Sequence, residues 1–568
     1  MSVPFVPKSR AARAILPAAV FLVPFLAFLA GPYSGSGDTE PAELLPISIL
    51  LDHRLDFDRF YGGRQDLPYP YRRVRGHVVS AYPIVAGLAN VPVYAAARIL
   101  RTDLYAARSR LSHVTAALLA AASVLFLYGT LLRVCRSRGE ALLFAGVYAF
   151  GTEVLAVAGR GAWQHAPSLF FLSASLWLLW PNPADDRLER ESGALDPVWS
   201  VPLSGLTLAL AVVSRPTNVL LAGAAAAFVL ARRRKRLPLV LLFLFCAAIP
   251  AAAVTLYSAV RLANPLALGQ LYRPFGFGGH PLRGLAGLLA SPSRGLFVFS
   301  PVLLASLPGA WIAWRSRERR YEPLPWLTAG AAATLLLFSF WGMWWGGSSF
   351  GYRLVVDVVP VLTILSAVGW GLRDPRRGRA RGRAFLFAAL FALSAYVEIL
   401  GVFAYPTRFG EGLDLEPERL WDVRESELVL ASRQLFGLGA APARDVAPVW
   451  WAPEKNDDAI PGWIDASPGS RTIRGTLSVS GWAKSAAGEV EVAIAFDGGP
   501  VVTPRRYPRP DVASVLPELG DTATAGFRVD VPAASGALRD RAMTVELKEP
   551  GGRVRRIGPI RFRWGPML

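Results

Sequence analysis

The sequence predicts a mainly α polytopic membrane protein of about eleven transmembrane helices, followed by a C-terminal extracytoplasmic β-sandwich. Three observations predict it. Apolar residues fill 53% of the 568 positions and charged residues only 18%, with a mean hydropathy of +0.35. The apolar residues gather in repeated runs of about 20, the length a helix needs to cross a hydrocarbon core. From residue 457 onward the runs give way to short alternating stretches, the period of half-buried strands.

The runs lie near 11–30, 111–132, 140–158, 163–180, 200–214, 216–231, 237–258, 296–314, 324–345, 352–372 and 384–404. The formal charge of +19 does not point to nucleic acid, because the basic residues sit in short clusters between apolar runs. Such clusters orient a membrane protein by staying in the cytoplasm. Lys8/Arg10/Arg13, Arg133/Arg136/Arg138, Arg187/Arg190, 232–236, 315–320 and Arg373 through Arg383 all fall inside if the N-terminus is cytoplasmic and the eleven spans hold.

The stretch 78–100 is long enough to span but carries Pro83, Gly87 and Pro92. Counting it as a span would turn every later cluster outward, so it is expected to be a helix lying against the outer interface. Ala14–Ala30 exceeds a usual signal-peptide core, and Phe28 spoils the small-x-small cleavage pattern, so this run is expected to remain as an anchor. Cys135 falls in an inner loop and Cys246 in a span, so no exported segment requires a disulfide.

The inner loops are short and rich in arginine. The outer ones read "SGSGDTEPAELLP" at 34–46, then 51–83, "GRGAWQHAP", "SRPTN", 271–297 and "WWGGSSFGYR", mixing acids, Arg, His, Trp and Gly. That inventory suits a charged, hydroxyl-rich ligand. Each piece also has a plainer reading, since Trp and Tyr form interfacial belts and single arginines pair with lipid phosphates. The β-rich C-terminal stretch contains no catalytic constellation; it fits carbohydrate or envelope binding, or a spacer.

Within residues 10 to 405, the order of the outer pieces resembles the GT-C superfamily of membrane glycosyltransferases. The nearest likeness is to bacterial relatives of the protein O-mannosyltransferases and lipid A aminoarabinose transferases. Those enzymes place an acidic motif shortly after the first span, where this chain has Asp38-Thr39-Glu40. "LLDHRLDFD" and "SAYPIVAGLANVPVY" match the family's Asp-rich stretch and its Tyr-Pro turn with interfacial helices, and "AWQHAPSLFF", "SRPTN", "SPSRGLFVFSP" and "WWGGSSFGYR" match later motifs.

Three parts are expected: a catalytic transmembrane domain over 1–405 with outer loop 31–110, which the resemblance implies, and, from the residue pattern, an extracytoplasmic, partly helical linker over 406–456 and an accessory β-sandwich over 457–568. The likeness to bacterial enzymes implies a bacterial inner membrane location, and eleven spans from a cytoplasmic N-terminus would leave the C-terminal domain extracytoplasmic. The donor would be a polyprenyl-phosphate-linked sugar, the acceptor a glycan, lipid or protein, and the reaction would invert the anomeric carbon.

Such a transfer needs a base for the acceptor hydroxyl and a cation for the departing phosphate. Asp38 is the expected base, with Glu40 orienting the acceptor or sharing the proton. The alternative is that both merely cap a helix beginning at Pro41. Arg75, Arg294 and Arg353 are the candidate phosphate ligands, because guanidinium groups hold phosphate oxygens in bidentate fashion. Arg353 leads, since Gly346, Gly347 and Gly351 let the backbone before it approach a ligand. Tyr82, His77 and His165 are expected to donate to phosphate or sugar. The family's basic residue before the Tyr-Pro turn has no clean match, since Ser80 and Ala81 stand there.

No cofactor is expected; Asp52, Asp56 and Asp58 match no fixed metal spacing, although hard divalent cations favour such carboxylates. The other readings are a lipid-linked glycan ligase or polymerase and a transporter or flippase. A transporter would place acids at mid-membrane, and Glu398 is the acid that the transferase reading does not explain.

Overall fold

A computed structural model of the chain describes residues 10–64, 67–68, 70–181, 199–267, 279–347, 349–371, 380–405, 409, 413, 417–436, 447–449, 462–467, 472–474, 477–485, 488–497, 501–508, 524–531 and 539–565. The basic pair Arg187/Arg190 lies outside them. Two compact units are present, Met1–Leu435 and Phe436–Leu568.

In the first unit a helix stands at each of the eleven apolar runs. Among the described residues, four helices are long and apolar enough to cross a membrane: Arg108–Val134, Leu237–Arg261, Arg353–Trp370 and Arg381–Phe403. The chain is a multi-pass membrane protein. Several other runs are broken where local chemistry demands it. The run near 140–158 ends as an α-helix at Phe150 and resumes as a π-helical turn, Val154–Ala158, after Gly151. The run near 296–314 divides into Leu296–Phe299, a 3-10 turn Pro301–Ala305 and Ser306–Arg315, because Pro301 has no amide hydrogen to continue a helix.

Close helix contact depends on small residues. A Cβ on Gly309 would stand 1.8 Å from the Leu365 carbonyl oxygen, and one on Gly369 would stand 1.8 Å from that of Ala305. Helices Ser306–Arg315 and Val359–Trp370 therefore pack backbone against backbone, as lipid-embedded helices do when van der Waals contact holds them together.

The segment after the first helix folds as helix Glu40–Asp52, a short turn Asp58–Tyr61, a hairpin Tyr71–Val74/His77–Ser80 and helix Val85–Ile99. The stretch expected to be one interfacial helix over 78–100 is thus corrected at its start. Its first residues pair as a strand, and the helix begins only after Pro83. Arg75 and Gly76 take positive φ at the hairpin tip.

The segment after the last helix includes a 3-10 turn Pro417–Trp421 and helix Glu427–Leu435. These residues belong to the first unit. In the second unit the described strands form two five-stranded sheets. Leu477, Val479 and Phe527 from one sheet and Ile494, Val545 and Leu547 from the other share one buried core, the interleaved arrangement of a sandwich.

Candidate functional site

The loop that presents Asp38 is held from both sides. Arg160, just beyond the π-helical turn, donates from Nε and Nη2 to the Pro32 carbonyl at 3.0 and 2.8 Å. The Trp163 indole N–H donates to the Ser34 carbonyl at 2.9 Å, and the Ser34 amide donates back to Arg160 O at 3.0 Å. Thr39 then closes the turn by accepting the Ser36 amide (3.0 Å) and donating to the Ser36 carbonyl (2.8 Å). Its hydroxyl does not cap the following helix, which starts at Glu40.

Glu43 anchors the same turn from inside. It accepts from the Tyr33 and Thr39 hydroxyls and lies 3.7 Å from Arg108 Nε. Burial, partly offset by the Tyr33 and Thr39 hydrogen bonds and the Arg108 charge, raises its pKa above the usual carboxylate value.

Asp38 itself, half-exposed, is not a helix cap. One oxygen accepts the Tyr82 hydroxyl at 2.5 Å, and the other faces Arg353 Nη1 at 3.4 Å. Arg353 also donates from Nη2 to the Gly346 carbonyl at 3.0 Å and lies over the Trp163 ring, 4.5 Å from its centroid. Asp38 and Tyr82 line a small cleft with Ser80, Gln164 and Tyr257. The acid, the hydroxyl and the guanidinium come from the loop after the first helix, the Tyr-Pro turn and the glycine-rich turn.

Other expected residues go elsewhere. Glu40 turns to a different partner, accepting from the Tyr61 hydroxyl at 2.9 Å. Arg75 sits at the hairpin tip and donates to the carbonyls of Ala259 and Val260, both at 3.4 Å. His77 joins an acidic group instead: its Nδ1 lies 2.6 Å from Asp58 Oδ2 and 3.9 Å from Asp56 Oδ2. Three such side chains can hold a metal ion. Here, however, Arg54 and Arg261 already pair with these aspartates. His165 is buried beside Trp163, within electrostatic reach of Arg353 and Arg215.

Arg294 is fully buried and engaged within the protein. It bonds Glu427 Oε2 at 2.7 Å, the Ser293 carbonyl at 2.6 Å and the Trp345 carbonyl at 3.1 Å.

Sequence reasoning missed what holds the glycine-rich turn. The Gly351 amide donates to Glu427 Oε2 at 3.0 Å, and the next amide, Tyr352, donates to Glu153 Oε1. Two buried carboxylates from distant elements thus grip consecutive amides directly before Arg353. Gly351 has φ +54, and a Cβ there would stand 1.8 Å from Glu153 Oε1, so only glycine fits. Glu398 accepts the Ala156 amide at 3.3 Å and so caps the π-helical turn that bears Glu153.

No protein-family model and no curated protein matches the sequence. Among solved structures, several of an oligosaccharyltransferase from Archaeoglobus fulgidus are similar. AglB in complex with an inhibitory peptide and a dolichol-phosphate is 14% identical with a TM-score of 0.38, covering 73% of this chain and 61% of that one. The complex with Zn and sulfate is 15% identical with a TM-score of 0.38, covering 67% and 53%. The form tethered to an acceptor peptide containing the NVT sequon is 15% identical with a TM-score of 0.39, covering 72% and 60%. The chain spans between about half and three fifths of the length of these proteins.

Proposed function

We propose that the chain is an integral membrane glycosyltransferase. It would move a sugar from a polyprenyl-phosphate carrier to an acceptor hydroxyl on the extracytoplasmic face of a bacterial inner membrane, with the eleven helices as spans and the N-terminus inside. The observation that carries this reading is the meeting of Asp38 with both Tyr82 and Arg353, Asp38 and Tyr82 lining one small cleft.

In this mechanism the donor phosphate binds Arg353, whose guanidinium leaves Asp38 for the phosphate oxygens and neutralises charge as the phosphate departs. The freed Asp38 carboxylate takes the proton of the acceptor hydroxyl while that oxygen attacks the anomeric carbon. The carbon–phosphate-oxygen bond breaks on the opposite face, and inversion follows. Tyr82 holds the carboxylate toward the cleft, and Trp163 supports the guanidinium by a cation–π contact. A ligase or polymerase acting on lipid-linked glycans would use the same arrangement.

The transporter reading loses its main support, the acids within helices. Glu153 and Glu398 accept backbone amides, and Asp357 pairs with Arg215 and accepts from Ser168 at 2.6 Å. The test uses membranes supplied with a polyprenyl-phosphate sugar. Asp38→Asn and Arg353→Ala are each expected to abolish transfer while the protein still inserts. Full transfer by Asp38→Asn removes the assigned base, and movement of the lipid-linked sugar without transfer by the unmodified chain replaces the enzyme with a flippase.

A further inference from the structure

A cleft of about 720 Å³ is lined on one wall by Leu44, Ile47 and Leu51 of helix Glu40–Asp52. Its lining includes Arg59, Arg64, Arg98 and Arg101 against a single acid, Asp103. All four arginines are exposed. Asp103 is occupied locally, accepting the Tyr105 and Ala106 amides at 2.9 and 3.1 Å. Arg59 pairs with Asp52 at 2.6 Å and Arg64 lies over the Tyr61 ring. Arg101 has no ion-pair partner among the described residues.

Between Arg98 and Arg101 the chain exposes Ile99 and Leu100, at 81% and 78% of their possible surface, and Leu51 and Tyr105 are exposed at the same cleft. Basic side chains beside bare aliphatic ones match an amphiphile with an anionic head and apolar tails. The rule that gathers arginines on the cytoplasmic side gives no reason for them here, because this loop lies outside in the proposed topology.

We propose that this cleft binds the phosphate headgroup of a membrane lipid, with Ile99 and Leu100 inserted among its acyl chains. The site is separate from the Asp38 cleft and does not require that Asp38 transfer a sugar. It is nonetheless joined to the transfer loop. Tyr61 lines the cleft and donates to Glu40, the first residue of the helix that follows Asp38. A bound headgroup therefore bears on the element that carries the acidic motif.

The test is lipid retention by the purified full-length protein, measured by native mass spectrometry after exchange into mixed vesicles of equal phosphatidylglycerol and phosphatidylcholine. The unmodified chain is expected to retain the anionic lipid preferentially. Arg64→Ala with Arg101→Ala should lower that preference roughly thirtyfold, the scale of two arginines near an anionic surface. Arg101→Lys should keep most of it. Neither residue is buried, so these variants are expected to fold, and an unchanged melting temperature in detergent confirms that they do. Equal retention of both lipids, or a preference that survives the double substitution, overturns the proposal. Inorganic phosphate that displaces the lipid fully at millimolar concentration overturns the lipid as the source of the anion.

Discussion

Arg353 Nη1 stands 3.4 Å from Asp38 Oδ2 across 315 positions of sequence. Neither residue reaches the other by chance of local geometry. Arg160 and Trp163 pin the loop that carries Asp38, and Glu153 and Glu427 grip the two amides before Arg353. The candidate centre is therefore held by backbone contacts on both sides, which is what pre-organised charge stabilisation requires.

Replacing Tyr82 by phenylalanine removes the hydroxyl that Asp38 accepts at 2.5 Å. A hydrogen bond to a charged group is worth roughly 1.5–3 kcal/mol. Transfer by Tyr82→Phe is expected to fall at least tenfold with little change in thermal stability, measured as the rate from a radiolabelled lipid-linked sugar.

Arg353→Lys keeps the charge but loses the planar fork. If Arg353 holds the departing phosphate in bidentate fashion, this variant should still lose roughly 10²-fold in kcat, close to Arg353→Ala. Single-turnover kinetics on membranes separates that loss from weaker donor binding.

Glu427→Ala leaves Arg294 buried without its carboxylate and frees the Gly351 amide. Removing one partner of a buried pair costs about 3–5 kcal/mol. A large fall in melting temperature is expected. The double variant Glu427→Leu/Arg294→Met should recover part of the stability but not the activity, because the Gly351 amide still lacks its acceptor.

Gly351→Ala places a Cβ against Glu153 and forces alanine into a left-handed conformation. Positive φ alone costs on the order of 1 kcal/mol, and the clash adds to it. Transfer should be lost before folding is, with circular dichroism showing retained helix.

Glu43 sets a pH dependence. Its folded pKa is raised, chiefly by burial, so the unfolded state gives up the proton first as pH increases. Stability from this group is complete below the unfolded carboxylate range and is lost as pH rises through the raised folded value. Glu43→Gln keeps a hydrogen-bonding group without the charge. It is expected to melt higher than the unmodified chain at pH 8 and equally at pH 4, by scanning fluorimetry.

The helical architecture was legible in composition and period, because a lipid solvent demands long apolar runs and leaves little freedom in how they fold. The acid after the first run and the arginine after the glycines were legible too, since charge and close backbone approach are local properties. The breaks inside helices were harder to place; Pro301 announces one, but the π-helical turn at Val154–Ala158 depends on Glu398 capping it from 242 positions away. The strand at His77–Ser80 was hidden because its apolar residues run straight into the helix that follows.

The sequence alone determined that this is a multi-pass membrane chain with an acidic loop after its first helix and a β-rich end. It also set apart three arginines, Arg75, Arg294 and Arg353, with Arg353 foremost because of the glycines before it. Tertiary structure decided among them: Arg294 is buried against Glu427, Arg75 lies on the carbonyls of Ala259 and Val260, and Arg353 faces Asp38. The reason is physical. A side chain's charge is written in its own residue, but whether that charge is spent inside the protein or left for a ligand depends on which distant groups the fold brings within hydrogen-bond reach.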